Sequence, residues 1–144
     1  MIDEGTKEVL DVYYRNATMG AQAIEAVLKH SQHPDFRALL EKQLAAYREQ
    51  QSKTLDKFAM HGDKPTDNPA WLKMFSDFSI KLQALVDESD ANLAKMMVEG
   101  TNMGVITLLQ TMHAHPNLSQ DVEETGNAIL KRENAYMESL KKFL

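Results

Sequence analysis

An all-α four-helix bundle, assembled from two helical hairpins, is predicted by three features of the chain. The first is an internal repeat: Thr18-Met19-Gly20 opens a helical stretch that closes at His33-Pro34, and Asn102-Met103-Gly104 opens another that closes at His115-Pro116. Self-similarity of this kind sets architecture ahead of any local assignment. The second is apolar residues recurring at steps of three and four through long stretches, while no stretch alternates for long enough to make a strand. The third is punctuation: the four prolines, at 34, 65, 69 and 116, all fall between these stretches.

A first helix is expected at about 4–30, where the turn His30-Ser31-Gln32-His33-Pro34 stops it. A second follows at 35–60, with Phe36, Leu40, Leu44, Tyr47, Gln51, Leu55 and Phe58 on one stripe. Gly62-Asp63-Lys64-Pro65-Thr66-Asp67-Asn68-Pro69 is the clearest loop. A shorter helix at about 70–86 carries Trp71, Met74, Phe75 and Phe78, apolar enough to clamp onto the bundle or to face a partner. Asp87-Glu88-Ser89-Asp90 reads as a break with a new N-cap. A further long helix at 89–114 has Leu93, Met96, Gly100, Met103, Thr107 and Leu108 as its stripe. The last, at 117–143, has Leu118, Val122, Ile129, Glu133, Tyr136, Leu140 and Phe143.

These elements make one domain over 1–144: a hairpin at 4–60, a crossover at 61–88 and a second hairpin at 89–144. The two tight turns set each hairpin antiparallel. A 17-residue helix covers roughly 25 Å, so the long connection can cross a bundle length and relate the hairpins by a pseudo-twofold axis. An up-down-up-down arrangement with a fifth packed helix is the alternative. Gly20 and Gly104 lie inside helices, where each costs about 1 kcal/mol against alanine. A close backbone crossing of the first helix against the 89–114 helix would offset that cost.

Composition narrows the function classes. The chain is 43% hydrophobic and 26% charged, ordinary for a globular protein, and has no run of the roughly 18 apolar residues needed to span a bilayer. Met1-Ile2-Asp3-Glu4-Gly5 does not resemble a signal peptide, so a cytoplasmic location is expected and no membrane association. Without cysteine there is no disulfide, thiolate metal site or thiol nucleophile. A net charge of −5 with no basic cluster beyond Lys141-Lys142 argues against nucleic acid. No phosphate loop, nucleophile elbow or Walker-type lysine occurs, so no enzyme activity is expected.

Two hairpins joined by a long crossover resemble the ferritin-like bundle. Segments such as Ala94-Lys95-Met96-Met97-Val98-Glu99-Gly100-Thr101-Asn102-Met103-Gly104 and Glu133-Asn134-Ala135-Tyr136-Met137-Glu138 are similar to small bacterial members with no assigned activity. The resemblance implies a di-metal centre held by a carboxylate from two helices and Glu-x-x-His from the other two. This chain departs from that pattern. Glu133-Asn134-Ala135-Tyr136 keeps the carboxylate and replaces the imidazole by a phenol. The matching place in the second helix is Gln51-Ser52-Lys53-Thr54, and Glu99 is paired with Arg15 or Asn16. No di-metal centre and no cofactor are therefore expected.

What remains is a candidate interior polar cluster of Asn16, Gln43, Tyr47, Glu99, Glu133 and Tyr136. A carboxylate in a core stripe must be paired, hydrogen-bonded or protonated. The cluster reads as a hydrogen-bonded network that fixes helix register, with Arg15, Arg48 or Arg132 nearby, or as a relic metal site or small polar pocket. His30, His33, His113 and His115 sit at the two turns, where helix C-termini favour them; the crossover puts the pairs at opposite ends. The sequence thus favours a structural or protein-interaction module, with a homodimer or a protein partner. The alternative is a metal- or small-ligand-binding protein that uses the residual carboxylate cluster.

Overall fold

In the computed structural model, which describes residues 2–144, each helix starts at a side chain that caps it. The helices are α1 (Glu4–Leu28), α2 (Pro34–Met60), α3 (Pro69–Gln83), α4 (Asp90–Ala114) and α5 (Gln120–Lys141). Asp3, Asn68, Ser89 and Ser119 each accept from a backbone N–H of the first turn of α1, α3, α4 and α5. His33 caps α2 in the same way, its Nδ1 accepting from the Asp35 N–H at 3.2 Å, with Pro34 next to it at the start of the helix. That corrects the expected role of His33: it serves the N-terminus of α2, not the C-terminus of α1. Gly62, at φ 67, ends α2 by letting the Gly62 and Asp63 N–H groups reach the Ala59 and Phe58 carbonyls. The boundaries differ from expectation by a few residues. α5 begins at 120 because Ser119 is the cap, and α3 stops at 83.

All five elements are helices, and no strand occurs among the described residues. α1 packs on α2 and α4 on α5, as the two tight turns dictate, and α1 packs also on α4 and α2 on α5. The segment between the hairpins runs the length of α1. At one end Lys7 pairs with Asp63 at 3.2 Å, and Asp11 accepts from the Thr66 N–H at 2.8 Å. At the other end His30 meets Glu88 at 2.9 Å, and the Asp90 carboxylate accepts from the Gln32 and His33 N–H groups. The start of α4 therefore lies beside the α1–α2 turn. The end of α4 returns to the start of α1, where His115 Nε2 is 2.8 Å from Glu8. The two histidine-bearing turns lie at opposite ends.

The buried apolar residues form two clusters. One contains Val9, Leu10, Tyr13, Phe58, Leu108, Val122 and Ile129. The other contains Ala17, Ile24, Phe36, Leu40, Tyr47, Leu93, Met97, Tyr136 and Leu140. Between them each of the four long helices inserts a buried polar residue: Asn16 from α1, Gln50 from α2, Thr101 from α4 and Glu133 from α5. α3 is different, with Leu82 as its one buried residue. Its partial clamping on α1, through Trp71 and Phe78 at the fringes of the two clusters, leaves Leu72 and Ile80 exposed. No helix among the described residues is long and apolar enough to cross a membrane.

Candidate functional site: a buried carboxylate in an apolar pocket

The site is built on the polar layer. Glu133 continues the α5 stripe one turn after Ile129 and is 1% exposed. Gln43 and Tyr47, one turn apart on α2, reach it from the facing helix. Gln43 Nε2 donates to one carboxylate oxygen at 2.9 Å and the Tyr47 hydroxyl to the other at 2.8 Å. Tyr136 stands on the same face of α5, its ring edge-on to Tyr47 with centroids 6.5 Å apart. The Tyr136 hydroxyl and the Asn16 Nδ2 are both buried without a hydrogen-bond partner, an uncommon state for buried polar atoms.

Burial pushes the Glu133 carboxyl up to about 7, and the bonds from Tyr47 and Gln43 and the positive charge of Arg132 keep it from rising further. The same burial, with the charge of Glu133 alongside, raises the phenols of Tyr47 and Tyr136 well above their ordinary value, so both remain protonated donors. Arg132 does not form an ion pair with Glu133; its guanidinium donates to Gln50 Oε1. Of the other two arginines expected near the cluster, Arg15 donates to the Thr66 carbonyl in the crossover and Arg48 pairs with Glu25 at 2.9 Å.

Five of the six expected residues therefore lie inside, and one does not. Glu99 faces outward, half exposed, with Lys81 of α3 at 4.0 Å. The α4 stripe keeps Leu93, Met96 and Leu108 as expected and departs from expectation between them. Ala94, Met97, Thr101, Val105 and Leu108 are buried, while Gly100 and Met103 are exposed. The α2 stripe likewise passes through Gln50 and Thr54 on its way to Phe58, with Leu55 outside. Gln50 holds its place by donating to the Tyr13 carbonyl at 2.8 Å, which an apolar pattern does not record.

The glycines also act differently from expectation. A Cβ at Gly20 would overlap the Tyr47 ring, and one at Gly104 would stand 2.8 Å from Asn16 Oδ1. Each glycine admits a polar side chain of the site from a neighbouring helix: Gly20 faces α2 and not the expected α4, while Gly104 faces α1. Gly126, which the sequence did not single out, does the same for Tyr13, whose hydroxyl donates to the Val122 carbonyl at 2.7 Å.

Above this floor lies a pocket of about 590 Å³ between α1, α3 and α4. Asn16, Tyr47 and Glu133 line its depth. Met19, Met96, Met97 and Met103 line its sides, and Trp71, Met74, Phe75 and Phe78 of α3 line its outer edge, leaving it partly open to solvent. Asp77, Lys81 and Glu99 stand around it. The size and lining are those of a small-molecule site: mostly apolar walls and a few polar groups at fixed places. The sequence suggested at most a small polar pocket at the cluster; the mostly apolar walls come from α1, α3 and α4 together.

No group of three or more histidine, aspartate or glutamate side chains able to hold a metal ion occurs among the described residues. His30 and His115 are each engaged with one glutamate, at opposite ends of the molecule. No protein family, curated protein or solved structure matches the chain.

Proposed function

We propose that this chain is a ferritin-like bundle of two pseudo-twofold hairpins that binds a small, largely apolar molecule beneath α3, with Glu133 at the base of the site. The reading is one of binding, not catalysis. The observation that carries it is the pocket of about 590 Å³ with a buried carboxylate at its floor. A network that only fixed helix register would have no reason to border open space, and would leave no buried amide unpaired beside it. In a ferritin-like bundle the metals are held in the core between the helices. Here Asn16, Gln50 and Thr101 accompany one carboxylate, and a hydrogen-bonding floor replaces a coordinating one.

The test is a titration with Nile red, a neutral solvatochromic dye. One equivalent is expected to bind with a blue-shifted emission. Ala23 of α1 lines the pocket, and Ala23→Phe, which fills part of it, should abolish binding while leaving the helical circular dichroism unchanged. Absence of saturable binding, or equal binding by the variant, would overturn the reading.

A second reading, an interaction module with a homodimer or other protein partner, is favoured by a different observation. Leu72 and Ile80 on α3, and Met103, Ile106 and Leu109 on α4, are exposed. Sedimentation equilibrium tests it: a monomer at all accessible concentrations removes the homodimer.

A further inference from the structure

Resting on the ligand-pocket reading, we infer that the pocket takes an organic ammonium ion, its N–H groups on the Glu133 carboxylate and its compact apolar body against the methionine and aromatic walls.

The argument begins with what Glu133 lacks. Each of its oxygens accepts one bond, from Gln43 or Tyr47, and an ionised carboxylate has room for more and can only accept. The molecule that completes it must therefore donate. No lysine or arginine forms an ion pair with Glu133 among the described residues, because the nearest guanidinium, that of Arg132, is spent on Gln50. A cation is missing from the interior, and the ligand is the group that can bring one.

The surroundings select the same chemistry. At the mouth, Lys81 faces Glu99 at 4.0 Å, and the remaining acidic groups of the pocket are Asp77 and Glu133, the latter offset only in part by the charge of Arg132. An anionic ligand would be repelled by both. Trp71, Phe75 and Phe78 put aromatic rings, whose faces attract ammonium groups, in the pocket wall, and methionine sulfurs add polarisable contact. The Asn16 amide has no partner at Nδ2, so rotation about its last side-chain bond can offer Oδ1 as a second acceptor.

Occupancy should also be coupled to pH. The groups facing Glu133 are Tyr47 from α2 and Arg132 and Tyr136 on its own helix; Asn16 comes from α1, Glu99 from α4 and Asp77 and Lys81 from α3 at the pocket mouth. Both tyrosines stay protonated, so Glu133, near neutrality at about 7, is the group whose proton an ammonium would displace.

Trp71 is the one tryptophan of the chain and lines the pocket, so its emission reports binding directly. The probes are 1-adamantylmethylamine and 1-adamantylmethanol, which share a body and differ in the head group; the amine is protonated at pH 8. The amine is expected to bind at least about tenfold more tightly than the alcohol, as a charge-assisted bond to a buried carboxylate requires. Glu133→Gln should erase that preference. In the unaltered protein, amine affinity should fall about tenfold per pH unit below 7, with alcohol affinity flat. Equal affinities for the two probes, or a preference that survives in Glu133→Gln, would overturn the ammonium assignment. The Nile red titration answers separately whether the pocket binds anything at all. The pH series needs no variant and decides the question even if Glu133→Gln folds poorly.

Discussion

Tyr47 lies across Gly20 in the space that a Cβ there would occupy, and from that position its hydroxyl reaches the Glu133 carboxylate at 2.8 Å. A missing side chain on α1 thus fixes a phenol of α2 against an acid of α5. The helix-propensity cost of the glycine is offset by a three-helix contact, and the contact sets one wall of the pocket.

Gly20→Ala is expected to destabilise the fold by about 1–3 kcal/mol in urea denaturation, because the Tyr47 ring must move. Gly100 provides the control. It lies inside α4 with nothing near its would-be Cβ, so Gly100→Ala should stabilise by up to about 1 kcal/mol. Two gains of equal size would show that the ring yields freely.

Glu133 gives stability a pH dependence opposite to that of a salt-bridged carboxylate. Its native value is raised from 4.5 to about 7, so between these limits the folded protein holds a proton that the unfolded chain has released. Stability contributed by this residue is complete below about pH 4.5 and is lost as pH rises through 7. At 1.36 kcal/mol per unit the loss is about 3 kcal/mol. Glu133→Gln should flatten that slope and be more stable than the parent at pH 8. Urea titrations at pH 5 and pH 8 check this, and an unchanged slope in the variant would refute it.

The crossover helix should be the least protected part of the molecule. With Leu82 its only buried residue, α3 has little apolar area to hold it closed. Its amides are expected to exchange at least about tenfold faster than those of α1 and α5, and to slow when the pocket is filled. Protection equal to that of the long helices would mean that α3 does not open separately.

Asp90→Ala removes the acceptor for the Gln32 and His33 N–H groups. The site is exposed, so the expected loss is about 1 kcal/mol or less. Faster exchange at residues 32 and 33, rather than a large shift in Tm, is the diagnostic sign.

How much of this was legible in the sequence varied with the kind of signal. Helix positions came through because caps and prolines are local: Ser89 and Pro34 mark their boundaries without help from the fold. Glu133 was legible because Ile129, Tyr136 and Leu140 fix the buried face of α5 on either side of it. Glu99 was misplaced because α4 carries apolar residues on more than one face. The expected stripe was right at Leu93, Met96 and Leu108, but between them it followed Gly100 and Met103, where Met97, Thr101 and Val105 are the buried residues. Gln50 and Thr54 were missed because their burial is carried by hydrogen bonds to main-chain carbonyls. The pocket was anticipated only as a small polar one beside the cluster; its apolar walls had no sequence signature, since they come from helices far apart in the chain and meet only on folding.

The division of the molecule into two locally wired hairpins has a consequence for how it assembles. Each hairpin draws on contacts between neighbours in the chain, which form quickly, while the α1–α4 and α2–α5 contacts must wait for the crossover to bring the pair together. Glu133 and the two α2 side chains that bind it sit on different hairpins, so the acid stays hydrated until that docking step. Joining the hairpins in neutral solution therefore draws a proton from water. The last act of folding is an acid–base reaction as much as a packing event, and mild acidity should speed the encounter that creates the pocket.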